Sequence, residues 1–295
     1  MGLSLLSVFW GKAHLELFEK ACIKSLSFPN NLKSLINENA VWNIFSDEEF
    51  QDKIELVVRN ELPGFTNINF QNISKLRARC DLLHEAIIWQ IEECLATSNK
   101  MFLAMPDTII GDGTIENLLA IASEPNTCIA SPHPRVLPSI LNEKYQSNSS
   151  LVTAAMKHPH ASWTYSEESH PLQSSYIGGI SWKRLNEKLI SVKHYLPTPY
   201  LCQFTKEDLN YFKIIPQWGY WDHEWPAHLI KQGRYRIATS SDIAFVVEIT
   251  EQGNNRPPIP KGIDNQHSFW KLENPRLKTI QHEMNHCIRC TFREE

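Results

Sequence analysis

Residues 101–117 read MFLAMPDTIIGDGTIEN, and the fold class turns on how this stretch is parsed. Met101 to Met105 is a short apolar run with the length of a buried strand. Pro106-Asp107 interrupts it, Thr108–Ile110 resumes it, and Gly111-Asp112-Gly113 turns the chain. Thr114 then precedes apolar residues at helical spacing (Ile115, Leu118, Leu119, Ile121), which predicts a helix with Thr114 as its N-cap. A strand ending on a carboxylate, then a glycine turn and a helix, is a common ligand-binding arrangement in α/β proteins. The carboxyl ends of such strands open onto a crevice, where a carboxylate can hold a divalent cation.

Working outward, the upstream chain repeats this rhythm. Leu3–Trp10 predicts a first strand, Ala13–Leu26 a helix, Leu32–Ile36 a second short helix, and Ala40–Phe45 a second strand. Ser46 is expected to cap the acidic turn Asp47-Glu48-Glu49. A long helix is expected from Ser74 to Thr97, with Leu76, Cys80, Leu83, Ile87, Ile91 and Cys94 as its apolar stripe. Downstream of the central stretch, Thr127–Ala130 predicts another strand. This βαβαβ alternation argues for an α/β fold with a mostly parallel sheet and flanking helices. Residues 136–295 are less regular and rich in tryptophan and proline, with short strands expected near 174–182, 188–195, 234–239 and 243–249 and a helix at the C-terminus.

Composition narrows the function classes. The net charge of -4 gives no basic footprint, so nucleic acid is a disfavoured partner, although it is not excluded. No apolar run approaches the roughly 20 residues of a spanning helix, and the N-terminus lacks the basic and small-residue features of a secretion signal. The odd number of cysteines, 7, scattered within apolar patterns, fits reduced thiols in a cytoplasmic protein.

The order of motifs resembles the GT-A type glycosyltransferases, and more narrowly a bacterial and phage-like family of nucleotide-sugar-dependent enzymes. The residues carrying the resemblance are Val8-Phe9-Trp10-Gly11-Lys12, the Lys24–Leu32 phrase, Ile44-Phe45-Ser46, and His84. Further matches are Phe102–Asp107 with Asp112-Gly113, Ile129–Arg135, Tyr220–Trp225 and Ser240-Ser241-Asp242. The resemblance implies a GT-A (Rossmann-like) fold in which residues 1–135 bind the nucleotide-sugar donor and an irregular half, 136–295, faces the acceptor. It also implies transfer of a sugar to a hydroxyl, with a cell-surface glycan as the default acceptor. GT-A enzymes commonly carry Asp-x-Asp where this chain has Met105-Pro106-Asp107, so only the second acid is present.

Transfer from a nucleotide sugar releases a diphosphate, whose charge Mn²⁺ or Mg²⁺ usually offsets. Asp107 is the first candidate ligand and Asp112 the second. Trp10 and Gly11 offer a stacking edge and a close backbone approach, while Lys12, Lys75, Arg77 and Arg79 are candidates for phosphate. Ser46, Met105 and Pro106 join the donor-binding set through the resemblance. An inverting transfer needs a carboxylate base. Asp222 and Glu224 lead, being set among aromatic residues suited to sugar faces, and Asp242 follows. His194 and the His158/His160 pair are lesser metal candidates.

Two other classes compete. His282-Glu283-Met284-Asn285-His286 fits the H-E-x-x-H zinc pattern, and on a helix Cys290 would continue the same face. The same helix has a plain reading as an apolar stripe through Leu277, Ile280, Met284 and Ile288. The third class is a non-catalytic protein that binds a nucleotide sugar.

Overall fold

A computed structural model describes residues 2–76, 82–122, 124–160, 180–195, 197–214, 224–251 and 287–295. Its strands are β1 (Leu3–Val8), β2 (Val41–Ser46), β3 (Ile68–Asn72), β4 (Lys100–Leu103), β5 (Thr108–Ile110), β6 (Cys128–Ala130) and β7 (Arg135–Val136). The later strands are β8 (Ile180–Arg184), β9 (Leu189–Tyr195), β10 (Pro199–Cys202), β11 (Tyr235–Ile237), β12 (Val246–Ile249) and β13 (Cys287–Arg293).

The main sheet has 7 strands in the order β11-β6-β10-β4-β1-β2-β3. All run the same way except β10, which lies antiparallel between β4 and β6. β1, LSLLSV, is buried along its whole length, as expected of a parallel strand covered on both faces. Its polar Ser7 is satisfied internally: Oγ donates to the Ala104 carbonyl and accepts from Trp42 Nε1 at 2.9 Å. Among the described residues there are two smaller sheets, β5-β12-β7 and β13-β9-β8.

The strand order fixes where a ligand can enter. From β1 the chain passes to β2 and then β3 on one side, and then returns to place β4 on the other side of β1. The direction of progression reverses between β1 and β4. Their carboxyl ends, residues 9–12 and 104–107, border the crevice that such a reversal leaves open.

The decisive stretch divides between two sheets. β4 stops at Leu103, and a tight turn follows in which Thr108 N and Thr108 Oγ1 both donate to the Met105 carbonyl, at 3.2 and 2.7 Å. β5 then pairs with β12 instead of continuing the main sheet. Beyond β5, the expected capping by Thr114 is corrected. Gly113 holds the cap position with φ of +76°, and Thr114 is buried in the first turn, where its Oγ1 accepts from Phe245 N at 3.2 Å. A left-handed cap suits a residue without Cβ.

Three further expectations change. Ser46 ends β2 and is not a cap; Asp47 takes the cap position of the short turn Glu48–Phe50. Ser74 does not begin the long helix. The Asn72 side chain accepts from Ser74 N at 2.9 Å and closes a local turn over Ile73–Lys75, and the helix runs Leu82–Thr97. Short polar side chains compete with helix in this way. At the C-terminus, Cys287–Arg293 is strand β13, antiparallel to β9, and not helix. Its sequence CIRCTFR alternates, with Cys290 and Phe292 buried and Arg293 exposed, a period of two that suits a half-covered strand. Leu277, Ile280 and Met284 of the expected stripe lie outside the described residues.

The segment after β1 is helical from Gly11 to Leu26, but Phe18–Ile23 is wound as a π-helix. Phe18, Ala21, Cys22 and Ile23 are buried, and Cys22 Sγ lies 3.7 Å from the Ala104 carbonyl. This segment therefore packs beneath the loop that carries Asp107.

Candidate functional site at the carboxyl ends of β1, β2 and β4

β1 ends at Val8 and is followed by Phe9 and Trp10. Phe9 goes into the core, whereas Trp10 is 48% exposed, a large apolar surface left at the mouth of the crevice. Gly11 follows with φ of +75°, and a Cβ there would meet nothing within 4 Å, so the glycine serves the turn and leaves open space above it. Its N–H donates to Asp47 Oδ2 at 2.8 Å, tying the end of β1 to the end of β2. The Trp10 carbonyl is 3.0 Å from His14 Nδ1, which steadies the first helical turn. Lys12 is exposed on that turn. At the end of β2, Ser46 is fully buried, and its Oγ has no hydrogen-bond partner among the described residues.

Asp107 borders the other side. It is half-buried, and its carbonyl accepts from Ile249 N at 2.7 Å. β12 explains its electrostatics. Glu248 pairs in register with Thr108 on one side and Arg135 on the other, so two acids and a guanidinium converge. Arg135 Nε bridges to Glu248 Oε1 at 2.9 Å. Burial, followed by the neighbouring Glu248 charge, pushes the Asp107 carboxyl up to about 7; its own backbone and Arg135 pull the other way. His160 is buried beside this group, its N–H donating to the Arg135 carbonyl at 3.0 Å. Burial, and then Arg135, lowers the proton affinity of its ring.

Asp112 has a different task. Its carboxylate accepts from Asn30 N at 2.9 Å, Asn31 N at 3.3 Å and Asn30 Nδ2 at 2.8 Å. Those amides open the helix Pro29–Asn37, whose own cap residue Phe28 makes no side-chain cap bond. Asp112 therefore caps that helix from across the fold. Buried Asn31 answers by donating to the Ile110 and Gly111 carbonyls at 3.2 and 3.1 Å.

The remaining candidates scatter. Met105 is half-buried and Pro106 buried in the Asp107 turn. Lys75 closes the short turn after β3. Asp242 is an exposed turn residue whose Oδ2 accepts from Arg293 Nε at 3.0 Å. Glu224 begins the helix Glu224–Lys231. Asp222, Arg77, Arg79 and His282–His286 lie outside the described residues. Cys290, read as extending that last motif along a helix, is instead buried in β13. His158 is engaged by Glu143 at 2.9 Å and Ser139 at 2.8 Å, and His194 lies in β9. Glu248 was missed because nothing local distinguishes it. The sheet β5-β12-β7 is what carries it to Asp107 from far along the chain.

Among the described residues, no group of three or more His, Cys, Asp or Glu side chains could hold a metal, and no helix is long and apolar enough to cross a membrane. No family model matches the chain, and no curated protein matches its sequence.

Among solved structures, a galactosyltransferase, LgtC, in complex with donor and acceptor sugar analogues, matches at 9% identity and a TM-score of 0.37, over 96% of both chains. The inositol-1-phosphate CTP transferase of T. maritima matches at 11% identity and 0.37, over 97% of this chain and 98% of that one. Core-mannan synthase A of Aspergillus fumigatus, in an Mn/GDP form, matches at 12% identity and 0.29, over 61% of this chain and 56% of that one. With overlaps of this size, the functional reading rests on the site itself.

Proposed function

We propose that the chain is a GT-A-like glycosyltransferase that moves a sugar from a nucleotide-sugar donor to an acceptor hydroxyl. The observation that carries this reading is the reversal of strand order between β1 and β4, bordered by an exposed Trp10, an open Gly11 and the Asp107 turn. In this reading residues 1–135 take the donor and residues 136–295 face the acceptor. Trp10 offers its face to the base, and the glycine lets the diphosphate approach the backbone. Lys12, exposed on the turn after β1, supplies positive charge, and Lys75 stays a candidate for phosphate. The unpartnered Ser46 hydroxyl is available to a donor group at the end of β2.

A divalent cation is the usual companion of a diphosphate. Mg²⁺ is commonly bound by one or two carboxylates plus substrate phosphates, and the site meets the lower bound through Asp107, since Asp112 is engaged as a helix cap. Mn²⁺ or Mg²⁺ would thus arrive with the donor, and when bound it would offset charge on the leaving group. Asp107 must be ionised to serve it, and the cation's own charge favours that form. The acceptor base is assigned to Asp222 or Glu224, in a cell-surface glycan transferase working in the cytoplasm. Asp242 is a weaker third, being held by Arg293.

The experiment is a titration of tryptophan fluorescence and thermal midpoint against UDP-, GDP-, TDP- and CMP-sugars, with Mn²⁺ or with EDTA. One nucleotide class should raise the midpoint, more strongly with Mn²⁺, and Trp10→Ala should weaken that response while leaving the free protein's midpoint unchanged. Turnover of the bound donor separates a transferase from a binding protein. No response to any donor, with or without cation, would overturn the assignment.

A further inference from the structure

β6 and β10 run antiparallel and set Cys128 directly opposite Cys202, both fully buried. The hydrogen-bond pattern defines the kind of pair. One step along the ladder, Gln203 N donates to the Thr127 carbonyl at 3.1 Å. Cys128 N turns the other way, donating at 2.9 Å to the Arg234 carbonyl just before β11. Because close and wide pairs alternate, Cys128 and Cys202 form the non-hydrogen-bonded kind. Facing Cα atoms are then only about 4.5 Å apart, with both side chains on one face. That spacing falls inside the roughly 4.4–6.8 Å span a disulfide needs. Arg234 lies beside the pair, its Nη2 donating to the Gln203 carbonyl at 3.0 Å, next to Cys202, and its charge is answered by Asp208.

We propose that Cys128 and Cys202 are a redox pair that closes to a cross-strand disulfide, tying β10 to β6 under thiol-oxidising conditions. β10 and β11 are the strands of the later half in the main sheet, and β10 lies between β6 and β4, so the bond fastens it to β6, a strand of the first half.

The chemistry is thiol–disulfide exchange with a small oxidised disulfide such as oxidised glutathione. One cysteine gives its proton to solvent, and its thiolate attacks a glutathione sulfur. The glutathione S–S bond breaks, one glutathione thiolate leaves and takes up a proton, and a mixed disulfide remains. The second cysteine, deprotonated in turn, attacks the protein-side sulfur of that mixed disulfide and expels the second glutathione thiolate. Two protein thiols have lost two electrons in all, and one glutathione disulfide has become two thiols. Burial, and then the contact with Cys128, raises the Cys202 thiol well above its ordinary range, so the exchange runs through local opening of β10, not in the closed sheet.

The test equilibrates the full chain with reduced and oxidised glutathione, both in the native state and through a urea unfolding–refolding cycle, followed by acid quench, alkylation and peptide mapping. The expected product has lost two hydrogen masses, yields a Cys128–Cys202 linked peptide, melts at a higher temperature, and reverts with dithiothreitol. Cys94→Ser should still form it, and Cys128→Ser should not. If Cys128→Ser fails to fold, the wild-type peptide map decides alone. Free, alkylatable Cys128 and Cys202 after the full cycle, or links from either to any other cysteine, would overturn the proposal.

Discussion

Gly111→Ala tests whether the turn in the decisive stretch is fixed by contacts remote in sequence. The backbone of Gly111 does not need glycine for its dihedral angles, since its φ is not positive. It needs glycine for space. A Cβ there would lie 2.0 Å from Asn148 Oδ1, 2.9 Å from its Cγ, and 3.0 Å from the Phe245 carbonyl oxygen. The Phe245 oxygen is backbone and accepts from Gly111 N at 2.8 Å, so it cannot retreat without losing that bond. Asn148 could swing away only by giving up its 2.9 Å bond to the Ser241 carbonyl. Overpacking of this kind costs about 1–3 kcal/mol and a stranded carbonyl about 1–3 more, so a total of roughly 2–6 kcal/mol is expected. Urea unfolding at constant slope measures it. Asn148→Ala alone should cost about 1–2 kcal/mol by removing the donor to Ser241. In that background Gly111→Ala should cost no more than about 1 kcal/mol, because only the Phe245 contact remains. Equal costs for Gly111→Ala in both backgrounds would refute the argument from Asn148. A single variant within about 0.5 kcal/mol of wild type would refute the packing itself.

The other predictions concern charge. Asp107 titrates near 7 in the folded protein against an ordinary 3.8, so the native state holds its proton where the unfolded chain has lost it. Stability from this group therefore falls as pH rises from about 4 to about 7. Asp107→Asn should match wild type near pH 4 and become progressively more stable than it up to pH 7–8; parallel thermal curves across that range would contradict the burial argument. Asp112→Ala should cost about 1–2 kcal/mol in urea unfolding by uncapping Pro29–Asn37, with Asp112→Asn recovering part of it. Arg234 grips fully buried Asp208 through two bonds of 2.7 and 2.8 Å. Arg234→Met should cost about 3–5 kcal/mol, while the double variant with Asp208→Asn should be milder than Arg234→Met alone. A double variant as unstable as Arg234→Met would show that the penalty is not the stranded carboxylate.

The sequence alone determined the elements whose periodicity is strong and whose neighbours are near. β1, β2, the helix Gly11–Leu26 and the parallel character of the first half all follow from apolar spacing broken by glycine and proline, because a strand or helix with one strong pattern has few other ways to bury it. The places of Trp10, Gly11 and Asp107 were legible for the same reason: each follows a strand that the pattern marks. What only the tertiary structure decided are the properties set by partners far along the chain. Asp112 and Asp107 look alike in the sequence, yet one caps a helix more than 80 residues away and the other lies beside the like charge of Glu248 on β12. CIRCTFR continued a helical stripe on paper and became a strand because β9 was there to pair with it. Cys128 and Cys202 meet only because β10 runs against its neighbours. Local spacing records how a segment hides its own apolar side, whereas strand pairing and carboxylate partners depend on contacts that no short window of sequence contains.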